Sequence, residues 1–320
     1  MQERQILMII KNCYSLPKQN NKIRTIRSPL FYVGDKFKLV DEIKQYFPEY
    51  IDNFIEPFTG GGSMFLNIYA NKYALNDIDS NIFNLHKFLQ KQADNSNPFF
   101  ENIEKYIDKY KLSKSYLKNI VPIELKRKWK KTYYAKYNKI GYEKLRVDYN
   151  NGKKHCLLLY LLLIYGFNRM LRFNANKKFN IPVGNVDFNK NVFNALNDYF
   201  RFVKDKNIQF FNLDFYIFIK SLKINNDDLI YLDPPYLISF SEYNKIWNEE
   251  KERLLLNLLD ELDHKNVKFA ISNIIEYKGR KNKIFINWMK QYNEHRINSN
   301  YISYHDNSIK KIDEVLITNY

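Results

Sequence analysis

Four consecutive apolar residues, Leu229-Ile230-Tyr231-Leu232, run without a break into Asp233-Pro234-Pro235-Tyr236. A run so short and so apolar reads as a strand buried on both faces. The two prolines fix φ, remove two backbone donors and push Asp233 into an extended conformation. The strand must end there, in a rigid corner whose carbonyls are free to accept hydrogen bonds. That corner falls at the carboxyl edge of a sheet, where open α/β folds bind ligands. Alone, it would be an ordinary structural turn, so its weight depends on the rest of the chain.

A second strand end supports the α/β reading. Asn53-Phe54-Ile55-Glu56 leads into Pro57-Phe58-Thr59 and three glycines, followed by the helix-like stretch SMFLNIYANK. Glycines after a strand let backbone approach a ligand closely. No GK[ST] follows, which disfavours a triphosphate-binding loop. Tyr73-Ala74-Leu75 reads as the next strand, and Asp77 at its end lies 17 residues beyond Gly60. That is close to the spacing at which an acid meets ribose hydroxyls. Asp79 could serve instead, and helix capping is the plain alternative for either. Helical spacing is expected from Phe37 to Phe47, and after Ser80 as N-cap with Ile82, Leu85 and Leu89 inward. The α/β rhythm returns with strand IQFFNLDF, a helix to about Leu222, strand LIYLD, a helix from Asn248 to about Asp263, strand VKFAISN and a last strand in EVLITNY.

Between these halves the alternation stops. The net charge is +16 and the pI about 9.4, in a chain rich in Lys, Asn, Ile, Tyr and Phe, residues that A+T-rich codons encode. Codon drift would spread the charge evenly. Residues 98 to 180 instead hold 20 Lys and Arg against 6 Asp and Glu, while the rest of the chain holds 31 against 29. The basic block interleaves cations with aromatics, as in KRKWKKTYYAKY from Lys126 to Tyr137, which suits phosphates and bases. The expected organisation is a discontinuous α/β domain, 1–96 and 191–320, interrupted by a basic helical insert at 97–190. Cys13 and Cys156 make no CxxC pair, the five histidines lie far apart, and no metal site is expected. The apolar run from Cys156 to Tyr165 is too short to span a bilayer, and ILMII near the start is short for a signal-peptide core. A cytoplasmic monomer is expected, with no membrane partner.

The Asp-Pro-Pro-Tyr corner suits one kind of chemistry. An adenine amino group is a poor nucleophile because its lone pair is conjugated into the ring. The Asp233 carboxylate and the Pro234 carbonyl could draw its hydrogens out of plane and localise that pair, while Tyr236 offers a stacking face. A base inside a duplex cannot reach such a corner unless it is flipped out.

At these residues the chain resembles the Dam-type, D12-class adenine-specific DNA methyltransferases, over roughly residues 30 to 320 and with motifs in the family's order. FYVGDK (Phe31 to Lys36) is similar to the N-terminal cofactor motif, EPFTGGGSMF to the glycine loop and NDID to the ribose-binding turn. YGFNRMLRFNANKKFNIPVG (Tyr165 to Gly184) resembles the edge of the target-recognition region, DPPY the catalytic motif, and ISN and DEVLITNY the family's later segments. The resemblance implies a seven-stranded, Rossmann-like methyltransferase core that uses S-adenosylmethionine and no metal. It implies cofactor contacts from Tyr32, Lys36, Glu56, Phe58, Gly60, Asp77, Asp214, Phe215 and Asp233, and catalysis by Asp233, Pro234, Pro235 and Tyr236. Double-stranded DNA is the implied partner, with Asn168, Arg169 and Arg172 as contacts beside Lys126, Arg127 and Lys128 of the basic cluster, and a cognate restriction endonuclease is a candidate companion. The chain departs from the family at Asp35, Arg169 and Lys177, where glycine is usual.

Three other readings compete: the same chemistry on RNA or a protein amide, a dinucleotide-dependent oxidoreductase, and a DNA-binding protein with a dead methyltransferase core. The second leaves DPPY unexplained, and the intact Asp233 and Tyr236 speak against the third.

Overall fold

The computed structural model describes residues 24–117, 121–239, 247–297 and 313–320. Cys13, His305, ILMII and residues 1–23 of the basic N-terminal stretch lie outside the described residues. The strands are β1 (Asn53–Glu56), β2 (Lys72–Asn76), β3 (Asn207–Phe211), β4 (Leu229–Leu232), β5 (Lys268–Tyr277), β6 (Arg280–Lys281), β7 (Asn293–Ile297) and β8 (Asp313–Thr318). They form one sheet in the order β3-β2-β1-β4-β5-β8-β7, with the two-residue β6 appended to β5. The first five in that order are parallel, while β8 runs the other way and pairs antiparallel with both β5 and β7. This is the α/β fold expected from the strand–helix alternation, and the Rossmann-like architecture that the resemblance implies.

Each central strand feeds two cores by alternation. Phe54, Tyr73, Leu75, Leu229 and Tyr231 face one buried cluster, and Ile55, Ala74, Ile230 and Leu232 face the other. Period-two geometry sends successive side chains to opposite faces, so a strand covered on both sides must be apolar throughout. Helices α1 (Val40–Ile43), α2 (Ser80–Gln92), α3 (Asn97–Lys109), α4 (Ile123–Trp129), α5 (Tyr133–Asn150), α6 (Cys156–Tyr165) and α7 (Lys190–Val203) precede β3 in the chain. Helices α8 (Phe215–Ser221), α9 (Glu249–Asp263) and α10 (Lys283–Trp288) cover the second face.

The basic block is helical, α3 to α6, and then irregular from 166 to 189 apart from a short 3₁₀ turn, Phe167–Arg169, and two isolated bridges, Gly166 with Val183 and Phe173 with Phe179. Helix α6 is buried from Leu157 to Tyr165 and joins the same apolar cluster as Phe54 and Tyr73 of the sheet. A helix apolar all round is stable only when surrounded. Its polar tips are satisfied, since the Tyr160 hydroxyl donates to Pro29 O (3.1 Å) and the Tyr165 hydroxyl to Ser113 O (2.6 Å).

Three expectations need correction. SMFLNIYANK is not a helix but a 3₁₀ turn, Phe65–Asn67, followed by extended chain. Side chains take over the backbone's bonds there: Asn67 bonds both Ile26 and Ser63, and the Tyr73 hydroxyl bridges Ala70 N–H and Ile68 O. The helix expected from Phe37 to Phe47 shrinks to Val40–Ile43 and a 3₁₀ turn, Lys44–Tyr46, because Pro48 disfavours helical geometry at Phe47. Asp79, not Ser80, caps α2, its carboxylate accepting from Asn81 N–H at 2.8 Å.

Candidate active site

The strand order reverses between β1 and β4, since the chain builds outward from β1 to β2 and β3 on one side and from β4 to β5 on the other. A crevice opens at such a reversal, outside the carboxyl ends of the strands. A cavity of about 580 Å³ lies there. Its lining includes every residue expected at the cofactor and catalytic sites: Tyr32, Lys36, Glu56, Phe58, Gly60, Asp77, Asp214, Phe215, Asp233, Pro234, Pro235 and Tyr236.

The loops around the cavity are stapled by Asn76, a buried residue at the end of β2. Its side-chain amide donates to Pro57 O and Leu213 O, both at 3.0 Å, and its carbonyl oxygen accepts from Leu213 N–H at 2.9 Å. One side chain thereby ties together the loops after β1 and β3. The glycine loop rests on it, with Gly60 and Gly62 at φ of +49° and +78°. A Cβ on Gly62 would stand 2.3 Å from the Phe65 ring, so both backbone and space require glycine there. Beneath the loop His86 Nε2 bonds Gly60 O at 2.9 Å, and burial lowers the His86 pKa to about 4, keeping the ring neutral.

Asp77 accepts from Gly60 N–H through one oxygen and Asp79 N–H through the other, each at 2.8 Å. Asp79 also lines the cavity, with one of its oxygens engaged in the helix cap. Burial raises the Asp77 pKa to about 6 despite its two donors. Asp214 also caps a helix, accepting from Tyr216 N–H at 3.0 Å at the start of α8, while lining the cavity.

At the DPPY corner, Lys36 Nζ lies 2.7 Å from Asp233 Oδ2 and 3.6 Å from Glu314 Oε1. The Tyr236 hydroxyl donates to Asp233 Oδ1 at 2.8 Å and lies 3.3 Å from Glu314 Oε1. The Lys36 ammonium also sits 5.1 Å from the centre of the Tyr236 ring. Asp233 is therefore oriented at both oxygens. Glu56, fully buried at the end of β1, has its pKa pushed well up by burial and by the charges of Asp233 and Asp77, and its Oε2 has no partner among the described residues. Glu314 on β8 is likewise raised by burial, with Lys36 opposing. Sequence reasoning missed Glu314, Asn76 and the cavity residue Trp247. Glu314 stands in the DEVLITNY segment, but nothing local shows that β8 lies against Lys36.

The departures from the family have structural counterparts. Asp35 is paired with Arg27 at 2.9 Å, and burial raises its pKa. Arg169 and Lys177, both at usual glycine positions, take φ of +51° and +54°, in the left-handed region that glycine fits without strain. Arg169 is held with its guanidinium 3.9 Å from the centre of the Phe31 ring, and burial lowers its pKa to about 10. Asn168 is exposed, and Arg172 bonds Asn180 through its side-chain and backbone oxygens (2.9 and 3.4 Å). Arg127 and Lys128 are exposed on α4, and Lys126 lies 5.3 Å over the Tyr133 ring. All of these candidate DNA contacts stand outside the cavity lining. Among the described residues there is no His, Cys, Asp and Glu cluster suited to a metal ion, and no helix is long and apolar enough to cross a membrane.

The chain is 35% identical to the type II methyltransferase M.FokI of Planomicrobium okeanokoites, over 95% of this chain and 45% of that one. It is 32% identical to the modification methylase StsI of Streptococcus sanguinis, over 96% and 46%. It is 24% identical to the DNA adenine methylase of Escherichia coli K12, over 91% and 94%. The chain thus spans less than half the length of the first two relatives. Residues 32–303 match the family described as D12 class N6 adenine-specific DNA methyltransferase, and the chain belongs to that family.

Proposed function

We propose that this chain transfers a methyl group from S-adenosylmethionine to the N6 amino group of an adenine flipped out of duplex DNA, at a specific site. The observation that carries the reading is Asp233, held between Lys36 and Tyr236 at the strand-order reversal beside the glycine loop. The donor fits this cavity. Its volume is typical of cofactor pockets, Phe58, Phe215 and Trp247 make an apolar end, and the unpartnered Glu56 Oε2 leaves a polar atom free for the donor's polar part. Bound there, S-adenosylmethionine supplies an already activated methyl, so the protein contributes position and aimed acceptors. Tyr32, Lys36 and Gly60 would hold one end, Asp77 the ribose, and Asp214 and Phe215, with the Phe58 ring packed against Phe215, the adenine. The Asp233 carboxylate and Pro234 carbonyl would accept from the target amino group, and Asp233 would receive the proton that the nitrogen gives up on methylation. Tyr236 would stack on the flipped base.

In this reading residues 97–190 form the DNA-recognition insert on a catalytic domain of 1–96 and 191–320. The enzyme works as a cytoplasmic monomer, alongside a cognate restriction endonuclease as the names of several relatives suggest. Labelled-methyl transfer compared on duplex DNA, RNA and protein tests the assignment. Label in N6-methyladenine of duplex DNA is expected; transfer to RNA or protein alone, or to nothing, would overturn it.

The titration of Asp77 gives the donor site a pH dependence. Ribose hydroxyls need an ionised Asp77, so donor affinity should fall as pH drops through about 6, approaching tenfold per unit. Calorimetry between about pH 7.5 and 4.5 reads it, and Asp77→Asn should flatten the profile. The DNA side is tested by salt. Neutralising Lys126, Arg127 and Lys128 together should weaken DNA binding and reduce the slope of log affinity against log salt by roughly one for each phosphate no longer neutralised. An unchanged slope would leave this cluster as a solvated face.

A further inference from the structure

Three buried polar residues behind the cavity, Glu252, Asn273 and Asn282, form one hydrogen-bond network that ends on a single aromatic ring. Trp247, only 8% exposed, lines the cavity beside Phe58 and Phe215. The three ring centres lie 5.5 to 5.6 Å from one another. The indole N–H points away from the cavity and donates to Glu252 Oε2 at 2.6 Å. Glu252, on α9, is 1% exposed, and its other oxygen accepts from Asn282 at 2.8 Å and Asn273 at 3.2 Å. Asn273 is the last residue of the ISN segment on β5, and Asn282 caps α10.

A buried carboxylate satisfied by neutral donors is a costly way to fill a core, where apolar packing would serve better. What it provides is direction. With its polar edge engaged behind, Trp247 turns only carbon to the cavity. The site already described makes no use of this network.

Resting on the methyltransferase reading, we propose that Trp247 is a binding residue for the adenine ring of the methyl donor, the third wall of an aromatic corner with Phe58 and Phe215, and that Glu252, fixed by Asn273 and Asn282, is its positioning residue. The ligand class follows from the lining. Three rings meet at one end of the cavity with Asp214 at their border, while Asp77, Glu56 and Asp233 form the polar remainder. A flat heteroaromatic group belongs at the first end and hydroxyl or cationic groups at the second.

The test is calorimetry of the full chain with two probes, S-adenosylhomocysteine and S-ribosylhomocysteine, which lacks the base. Trp247→Ala should weaken S-adenosylhomocysteine about 5- to 100-fold, the range of one lost base–aromatic stack, and leave S-ribosylhomocysteine unchanged. Trp247→Phe should restore most of the loss. Equal weakening of both probes, or of neither, overturns the assignment of Trp247. Glu252→Gln keeps the volume but cannot accept from all three donors. It should weaken S-adenosylhomocysteine selectively and shift Trp247 emission, read against a Trp129→Phe, Trp288→Phe background. Wild-type emission and affinity in that variant overturn the positioning role. A wild-type chain that binds neither probe takes down the methyltransferase reading itself, a result distinct from any variant's failure.

Discussion

Asp233→Ala is expected to remove methyl transfer, by at least about 10²–10³-fold, the loss typical of deleting one aimed group from a preorganised site. It should do so without unfolding the protein. In the variant, Lys36 still faces Glu314 at 3.6 Å, and the Tyr236 hydroxyl still has Glu314 within 3.3 Å. The buried cation therefore keeps a counter-charge. Single-turnover transfer from labelled S-adenosylmethionine to duplex DNA, with a thermal melt of the same sample, separates the two quantities. Near-normal turnover would refute the role of Asp233.

Lys36→Met is expected to behave differently, losing stability as well as activity. The ammonium is 4% exposed and lies between Asp233 and Glu314. Removing one partner from a buried pair leaves charge uncompensated and costs roughly 3–5 kcal/mol. The sign of its pH dependence follows from the acids left behind. Without Lys36, which opposes the upward shift of Glu314, the folded-state pKa of Glu314 should rise further above its unfolded value. A carboxyl raised in the folded state binds protons that the unfolded chain does not, so stability falls as pH rises through that window. The deficit of Lys36→Met against wild type should therefore be larger at about pH 8 than at about pH 5. Denaturant melts at the two values measure it, and an equal deficit would mean that Lys36 acts by packing alone.

On the proposed function, these variants would divide the corner into a reacting group and its support. Asp233 is held from two sides, by an ammonium and by a phenol, so its acceptor directions are set before substrate arrives. Preorganisation of this kind costs nothing at the moment of reaction. The cost falls instead on folding, through Glu56 and Glu314, carboxyls whose pKa values burial drives up.

Much of this was legible in the chain itself, for local reasons. LIYL before DPPY and NFIE before the glycines are strands that could end nowhere else, because prolines and glycines impose their dihedrals whatever surrounds them. The acid after β2 and the confinement of charge to residues 98–180 are equally local. Where the reading slipped, tertiary contacts overrode local pattern. SMFLNIYANK has helical periodicity, but Asn67 and Tyr73 offered its backbone other partners, and Ser80 lost the cap to an Asp one residue earlier.

What only the tertiary structure decided is which distant residues meet. Glu314 is 278 residues from Lys36, and their approach depends on β8 pairing antiparallel with β5. Asn273 and Asn282 reach Glu252 across the packing of α9 on the sheet, and nothing near them in the chain announces it. A buried polar contact is made wherever the fold leaves a group unsatisfied, so its partner is chosen by three-dimensional proximity. Backbone corners are chosen by the residues that form them, and Asp233-Pro234-Pro235-Tyr236 was therefore readable from sequence while the groups that aim it were not.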